Sequence, residues 1–293
     1  MDLQVDFQVV ADTRCLIGEG PIWHPVEKRI YWTDIDSRRL YRYDPVTGDH
    51  APCDYEGQKV GGFTIQTDGT LLLFREKGNI VVWREGGVQK TIVESIPGEE
   101  NHRFNDVWAD PEGRVFCGVI GLEDPAEKGR LYRLDRDGSL TVLVDGVDVA
   151  NGMGLTRDGT SLYFTESLTR TIWLFDYERA TGALTNQRPF TRVPEDGGFP
   201  DGMAVDEQGR VWSARWDGWC VTCVGDDGND VQTVKLPAQC VSSACFGGDD
   251  LSQMYVTSAG GDDRKNKGEH AGSLIRIDIG VRGAPEYLSR IGL

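Results

Sequence analysis

Positive charge is scarce in this chain of 293 residues, which has 31 Lys and Arg against 47 Asp and Glu and a formal net charge of −16. Binding to a nucleic acid or to an anionic membrane surface needs a basic patch, so neither partner is expected. No apolar run approaches the roughly 18 residues of a membrane-spanning helix. Only four His are present, and none has a partner at the spacing typical of a His-ligated metal site.

A secretion signal is not expected either, because residues 1–6 lack the basic start and the apolar run that secretion requires. The seven cysteines are scattered, and their odd number favours free thiols in a reducing compartment. Cys220 and Cys223 have the spacing of a redox pair, but they lie in a strand-like run, where residues three apart face opposite sides. We therefore predict a cytoplasmic protein with buried structural cysteines.

The chain does contain a repeat, which consists of a strand-like aromatic run followed by a turn and a further strand. The six runs are marked by Trp32, Phe74, Phe116, Phe164, Trp212 and Tyr255, and the steps between them are 42, 42, 48, 48 and 43 residues. A period in the forties made only of strands and turns predicts an all-β fold, the six-bladed β-propeller. We expect residues 1–293 to form a single domain of this kind, stable as a monomer.

Closure of the ring is predicted to involve both ends of the chain. Residues 5–11 read as a strand without a preceding partner, and the segment 285–289 follows the last repeat. If the first and last segments meet in one sheet, the ring has no free edges. The polar loops at residues 121–129 and 259–272 depart from the repeat, and long loops on one rim of a scaffold often take part in recognition.

The first strand of each blade lines the central channel of a propeller, so the residues that open these strands converge from six directions. At equivalent positions the repeats contain Glu19, Gly61, Asn105, Asn151, Asp201 and the pair Ser242 and Ser243. Two carboxylates facing each other across a channel are unfavourable unless a cation or a proton lies between them. Oxygen donors without His or Cys suit one hard divalent cation, with Ca²⁺ as first choice and Mg²⁺, Mn²⁺ or Zn²⁺ as alternatives. The competing interpretation is that the Asn-Gly and Asp-Gly pairs only form turns.

Four motifs at these positions resemble those of the gluconolactonase/regucalcin family. They are Gly18-Glu19-Gly20-Pro21-Ile22-Trp23, Arg103-Phe104-Asn105-Asp106, Asn151-Gly152-Met153-Gly154 and Phe199-Pro200-Asp201-Gly202-Met203. The resemblance implies a six-bladed propeller that hydrolyses sugar lactones with a divalent cation in its channel. It implies cation ligands at Glu19, Asn151 and Asp201. The substrate-binding residues that it implies are Arg103, Asn105 and Glu123.

The chemistry of lactone hydrolysis suits such a site. A cyclic ester needs a polarised carbonyl group and a nucleophilic water, and a divalent cation can supply the first as a Lewis acid and assist the second. A carboxylate can take the proton as general base, a role that we assign to Asp201. Arg103 is expected to bind the ring hydroxyls or to stabilise the oxyanion. We therefore predict an enzyme that hydrolyses a sugar (aldono-) lactone to the aldonic acid.

Two other functions stay open at this point. One is a related propeller hydrolase that acts on phosphotriesters or lipophilic lactones, which would need a more apolar rim. The other is a non-catalytic calcium-binding propeller, because a fold and a ligand set do not prove turnover. Near the expected site, we assign His102 to a solvated loop. We assign Phe63, Trp216 and Trp219 to aromatic packing between blades.

Overall fold

The computed structural model describes residues 3–53, 57–122 and 127–293. In these ranges the chain forms 24 β-strands, arranged in six sheets of four strands each. Neighbouring strands within each sheet are antiparallel, and almost no helix is present in the described ranges. The prediction of a six-bladed, all-β propeller is therefore confirmed.

The strands follow one another in chain order from the channel to the outside of each blade. The N-terminal strand is Phe7–Ala11 (β1). The first blade contains Gly18–His24 (β2), Arg29–Asp34 (β3), Arg39–Tyr43 (β4) and His50–Cys53 (β5). The second contains Val60–Ile65 (β6), Leu71–Arg75 (β7), Ile80–Arg84 (β8) and Gly87–Val93 (β9). The third contains His102–Ala109 (β10), Val115–Gly121 (β11), Gly129–Leu134 (β12) and Leu140–Val147 (β13).

The remaining blades repeat this order. The fourth contains Ala150–Leu155 (β14), Ser161–Glu166 (β15), Thr171–Glu178 (β16) and Ala183–Arg192 (β17). The fifth contains Phe199–Val205 (β18), Val211–Trp216 (β19), Cys220–Val224 (β20) and Asp230–Lys235 (β21). The sixth contains Val241–Gly247 (β22), Gln253–Ser258 (β23) and Leu274–Ile277 (β24), with β1 as its outer strand. The helical segments are one turn of 3₁₀-helix at Glu195–Gly197 and the short helix Arg264–Lys267 (α1).

The ring closes in the sixth blade, where β1 pairs antiparallel with β24. Phe7 lies opposite Ile277 in this pair, so the N-terminal strand completes a sheet begun by the last repeat. The segment 285–289 does not join that sheet, contrary to the sequence-based expectation. It lies instead beside the inner strand of the second blade, where Ser289 forms a parallel bridge with Gln66.

The second strand of each blade contributes an aromatic residue to the core, together with apolar residues of the other strands. The six residues that mark the sequence repeat all lie on the second strands and are at most 1% exposed. Burying such an aromatic side chain stabilises the fold by roughly 1.5–3 kcal/mol. The aromatic period of the sequence is therefore the period of the core.

Each inner strand changes its pairing register at the same level of the channel. The shifts fall between Glu19 and Ile22, Val60 and Gly62, Phe104 and Val107, Ala150 and Met153, Pro200 and Met203, and Val241 and Ser243. Such β-bulges leave a residue out of the ladder and re-aim its side chain. Since the Asn-Gly and Asp-Gly pairs lie inside β14 and β18, the interpretation of these pairs as turns is wrong.

The burial of the cysteines matches the expectation from the sequence. All seven cysteines are buried, and Cys220 and Cys223 both lie in β20, whose five residues are all buried. Among the described residues, no helix has the length and apolar character needed to cross a membrane.

A buried aspartate fixes the turn between the first two strands of the fifth blade. Asp206 Oδ2 accepts hydrogen bonds from Arg210 Nε at 2.7 Å and from Trp212 Nε1 at 3.0 Å. Its Oδ1 accepts the backbone N–H groups of Gln208 and Arg210. The carboxylate thus satisfies four donors at a site closed to water.

Replacement of this aspartate should destabilise the propeller strongly. We expect Asp206→Ala to lower the free energy of unfolding by about 3–5 kcal/mol, because the Arg210 guanidinium loses its counter-charge at a mostly buried site. The measurement is urea denaturation followed by tryptophan fluorescence. Asp227→Ala is the matched control, since Asp227 is an exposed turn aspartate of the same blade and should leave stability near the wild-type value. Equal losses in the two variants would contradict the argument.

Candidate active site

A cavity of about 320 Å³ opens at the end of the channel where the inner strands begin. Its polar lining residues are Glu19, Arg103, Asn105, Asn151, Ser167, Asp201 and Asp217. The rest of its wall is apolar and consists of Ile17, Ile35, Ile120, Val149, Leu168, Phe199 and Trp216. Most of these apolar residues lie at strand ends or just beyond them, so the rim of the cavity is built by the connections between strands.

The structure brings five of the six predicted site residues to this cavity. Asn105, Asn151 and Asp201 lie in the bulges of three inner strands, Glu19 is the last paired residue before the bulge of β2, and all four are more than nine-tenths buried. Arg103 precedes Asn105 on β10 and also lines the cavity. The sixth predicted residue, Glu123, lies outside the described residues.

A chain of hydrogen bonds crosses the cavity from the third blade to the fifth. Arg103 Nη1 donates to Asn105 Oδ1 at 2.7 Å, and Asn105 Nδ2 donates to Asn151 Oδ1 at 2.8 Å. Asn151 Nδ2 donates to Ser167 Oγ at 2.7 Å, and Ser167 Oγ donates to the carbonyl oxygen of Pro200 at 2.6 Å. The chain fixes the rotamers of both Asn side chains. It leaves the second lone pair of Asn151 Oδ1 free to bind another partner.

Ser167 is a member of this chain that the sequence motifs did not identify. It follows β15, the second strand of the fourth blade, and therefore lies outside the inner-strand register that aligned the other residues. Its position in the repeat could have identified it. The second strand of a blade runs antiparallel to the inner strand, so the residue just after it lies at the end of the channel where the inner strand begins. Asp217 after β19 occupies a similar place in the fifth blade.

Three buried carboxyl groups influence one another here: Glu19 and Asp201 line the cavity, and Asp106 lines a narrower part of the channel. Burial raises the pKa of Glu19 well above its usual range, and the negative charge of Asp201 raises it further. Burial also raises the pKa of Asp201 strongly, and the charge of Asp106 adds to the effect. The pKa of Asp106 itself is raised to about 7 by burial, although Arg103 opposes that shift. One guanidinium thus faces three acids.

This arrangement suits a hard cation. Glu19 and Asp201 supply carboxylate oxygens and Asn151 supplies an amide oxygen, which are donors that divalent calcium or magnesium ions prefer. In the described ranges, no three His, Cys, Asp or Glu side chains are grouped in a way that could hold a metal ion. A cation at this position would therefore depend on two carboxylates together with neutral oxygen donors.

Four neighbouring residues had been assigned a place from the sequence, and the structure agrees with only part of these assignments. Trp216 lines the cavity in addition to packing within its blade, and Trp219 is 38% exposed. Phe63 packs in the core between the first and second blades, as predicted, and also lines a narrower part of the channel. His102 is buried rather than solvated, with its Nδ1 atom 3.0 Å from Glu99 Oε2. The fully buried carboxylate of Glu99 needs positive or polar partners, which explains why this histidine turns inward.

One apolar wall residue is anchored by a cation. The guanidinium carbon of Arg170 lies 4.0 Å from the centroid of the Phe199 ring. Arg170 Nη1 also donates hydrogen bonds to the carbonyl oxygens of Pro194 and Gly198. These contacts fix the segment that leads into β18, and with it the place of Phe199 in the cavity wall.

Comparison with known proteins gives one family for nearly the whole chain. The family model described as "SMP-30/Gluconolactonase/LRE-like region" matches residues 17–260. A pentonolactonase, XacC of Haloferax volcanii, is 46% identical over 97% of this chain and 98% of its own. Regucalcin of Gallus gallus is 33% identical, again over 97% of this chain and 98% of its own. The crystal structure of a calcium-binding regucalcin from Agrobacterium tumefaciens superposes with a TM-score of 0.90 at 25% identity, covering 98% of both chains.

The raised pKa values predict how the stability of the metal-free protein depends on pH. The folded state keeps protons on these acids at pH values where the unfolded chain has lost them, so the free energy of unfolding falls as pH rises. For Asp106 this window runs from the ordinary value of about 4 to about 7. We expect chelator-treated protein to lose stability across it, and Asp106→Asn to lose less.

The measurement is the denaturation midpoint at several pH values in the presence of a chelator. Asp227→Asn, at the exposed turn of the fifth blade, is the control and should follow the wild-type curve. A wild-type midpoint that stayed constant or rose across the window would show that these carboxyl groups are not desolvated in the folded protein.

Proposed function

Since the chain belongs to the SMP-30/Gluconolactonase/LRE-like family, we propose that it hydrolyses the ester bond of a sugar lactone to give the aldonic acid. The observation that carries this proposal is the pair of buried carboxyl groups, Glu19 and Asp201, beside Asn151 at one cavity. That cavity, at about 320 Å³, is near the lower end of the range for small-molecule sites, roughly 300–1,000 Å³. It suits a single sugar ring, and the pentonolactonase relative makes five-carbon lactones the first candidates.

We further propose that Glu19, Asn151 and Asp201 hold one divalent cation, with Ca²⁺ as first choice. The donor set supports a hard cation, and the regucalcin structure is that of a calcium-binding protein. Asn105 positions the ligand Asn151, because its Nδ2 donates to Asn151 Oδ1 and orients that oxygen. When bound, the cation supplies Lewis acidity, which polarises the lactone carbonyl and lowers the pKa of a water.

The residues around this position can carry out the rest of the reaction. Asp201 takes a proton from the water that attacks the carbonyl carbon. The bond between that carbon and the ring oxygen then breaks, and the ring oxygen takes up a proton to become a hydroxyl group. Arg103 uses Nη1 to hold Asn105. Its remaining N–H groups bind the ring hydroxyls or the developing oxyanion.

A second candidate function is hydrolysis of more lipophilic lactones. The apolar rim residues, which include Phe199, Trp216 and Leu168, favour it. Arg103 and Asp217 favour hydroxylated substrates instead, because a lipophilic ligand would leave these polar groups without partners.

A cytoplasmic location, a monomeric state and a single domain over residues 1–293 stay predictions. The monomeric state can be checked by analytical ultracentrifugation.

The proposed activity can be tested with metal-stripped protein. We expect hydrolysis of xylono- or arabinonolactone well above the spontaneous rate after addition of Ca²⁺, Mg²⁺, Mn²⁺ or Zn²⁺, because the cation provides the electrophile. The readout is acid release with a pH indicator, and gluconolactone, a lipophilic lactone and a phosphotriester are run beside the pentonolactones. Cation binding without hydrolysis of any of these would favour a non-catalytic calcium-binding propeller.

The role of Asp201 can be tested with an isosteric variant. We expect Asp201→Asn to lower kcat by roughly 10²–10⁴-fold, since the amide cannot accept a proton from the attacking water. Cation affinity is measured separately by calorimetry, so that a lost ligand can be told from a lost base. If the variant kept the wild-type rate with the cation bound, the base would have to be another group. Asp227→Asn provides the control for a surface aspartate in the same blade.

Ser167 offers a test of the hydrogen-bond chain. Ser167→Ala should weaken cation binding about tenfold, because the Nδ2 group of Asn151 loses its acceptor and the amide oxygen is no longer fixed. Ser161→Ala, a buried serine of the same strand pair that lies outside the cavity, is the control. Unchanged affinity in Ser167→Ala would mean that Asn105 alone orients Asn151.

A further inference from the structure

One carboxylate at the cavity has no place in the proposed chemistry. Asp217 lines the cavity just after β19, next to Trp216, and its side chain is 39% exposed. The cation set uses Glu19 and Asp201, and the hydrogen-bond chain uses the remaining polar lining residues. Asp217 therefore faces the cavity from its rim without an assigned partner in the reaction.

Both contacts of this carboxylate go to the same oxygen. Cys240 Sγ donates to Asp217 Oδ1 at 3.3 Å, and Lys267 Nζ lies 3.6 Å from Oδ1. Burial raises the pKa of the Cys240 thiol to about 11, so that it stays protonated and able to donate. Among the residues that the structure describes, none donates a hydrogen bond to Oδ2. The side chain is thus held by one oxygen and presents the other.

The backbone around Asp217 is built to hold it there. Asp217 has a φ of 60°, a left-handed conformation that Asp and Asn tolerate better than most residues. The turn is tied to the 259–272 loop, because Trp219 N–H donates to the carbonyl oxygen of Gln239 and Gln239 N–H donates to that of Lys267. The 259–272 loop, which was predicted to take part in recognition, therefore positions Lys267, the side chain that faces Asp217.

We propose that Asp217 is a specificity-determining residue that accepts hydrogen bonds from the hydroxyl groups of the lactone ring through Oδ2. This assignment rests on the proposed lactonase function. With the reacting carbonyl next to Glu19 and Asp201 at the bottom of the cavity, the hydroxyl groups on the opposite side of the lactone ring reach the rim. An ionised carboxylate is a strong acceptor for them. The neighbouring indole of Trp216 offers a flat surface for the C–H face of the ring.

The experiment compares a hydroxylated and an unhydroxylated ring in Asp217→Asn. Asn keeps the left-handed backbone and the shape of the side chain, but replaces the charged acceptor with a neutral amide. We expect the KM for xylono-1,4-lactone to rise about tenfold with little change in kcat, because a charged hydrogen bond to the ring is lost from ground state and transition state alike. The inhibition constant of γ-butyrolactone, which shares the ring and carbonyl but has no hydroxyl group, should stay within about twofold.

The controls separate this assignment from a structural effect and from the proposed function. Asp227→Asn should change neither constant, and the unfolding midpoint of Asp217→Asn should match the wild type. Equal loss for both rings, or loss for neither, would overturn the role of Asp217 while leaving the lactonase function intact. A wild-type protein that hydrolysed no lactone would overturn the proposed function, and the assignment of Asp217 would fall with it.

Discussion

The register shift repeated in all six inner strands is the constraint from which the site follows. At this level each strand leaves its ladder for a short stretch, and in the third, fourth and fifth blades a released residue, Asn105, Asn151 or Asp201, lines the cavity. The close approach of the strands also decides which residues can flank the released ones. A Cβ at Gly202 would lie 2.1 Å from Ser243 Oγ, and one at Gly152 would lie 2.6 Å from the backbone nitrogen of Met203. The glycines after Asn151 and Asp201 therefore serve packing between strands rather than chain reversal.

Crowding of acids is the electrostatic consequence of this convergence. Glu19, Asp106 and Asp201 are desolvated together, and Arg103 is the cation that opposes their mutual repulsion. A folded chain with this charge pattern is less stable than one with neutral residues at the same places. Buried groups of like charge are typical of functional sites. The repulsion that destabilises the protein without a ligand is relieved when an oppositely charged ligand binds. The sheets around the channel, with their buried aromatic strands, supply the stability that tolerates it.

The features that recur in every repeat were predicted well from the sequence. Aromatic residues every forty-odd positions specify second strands, and aligned polar residues specify the channel, because both depend on position within a repeat. Ser167 and the wall position of Trp216 were missed because they lie at the ends of second strands, outside the inner-strand register that was used to align the repeats. The inward turn of His102 depends on Glu99 and its partners, which no local pattern reveals. The segment 285–289 was misplaced because its five residues lie outside the repeat and carry no pattern that specifies their neighbour in the fold.

The cavity thus has two parts with different physical origins. Its polar bottom is set by backbone bulges in strands buried on both faces, so a change there disturbs the ladder as well as the chemistry. Its rim is set by residues at or just beyond strand ends, such as Leu168, Phe199 and Asp217, of which Phe199 contacts Arg170 and Asp217 contacts Lys267. Substitutions at the exposed positions Leu168 and Asp217 cost little stability. Under the proposed function, the choice of ring substituents can change at the rim while the ester chemistry at the bottom stays the same.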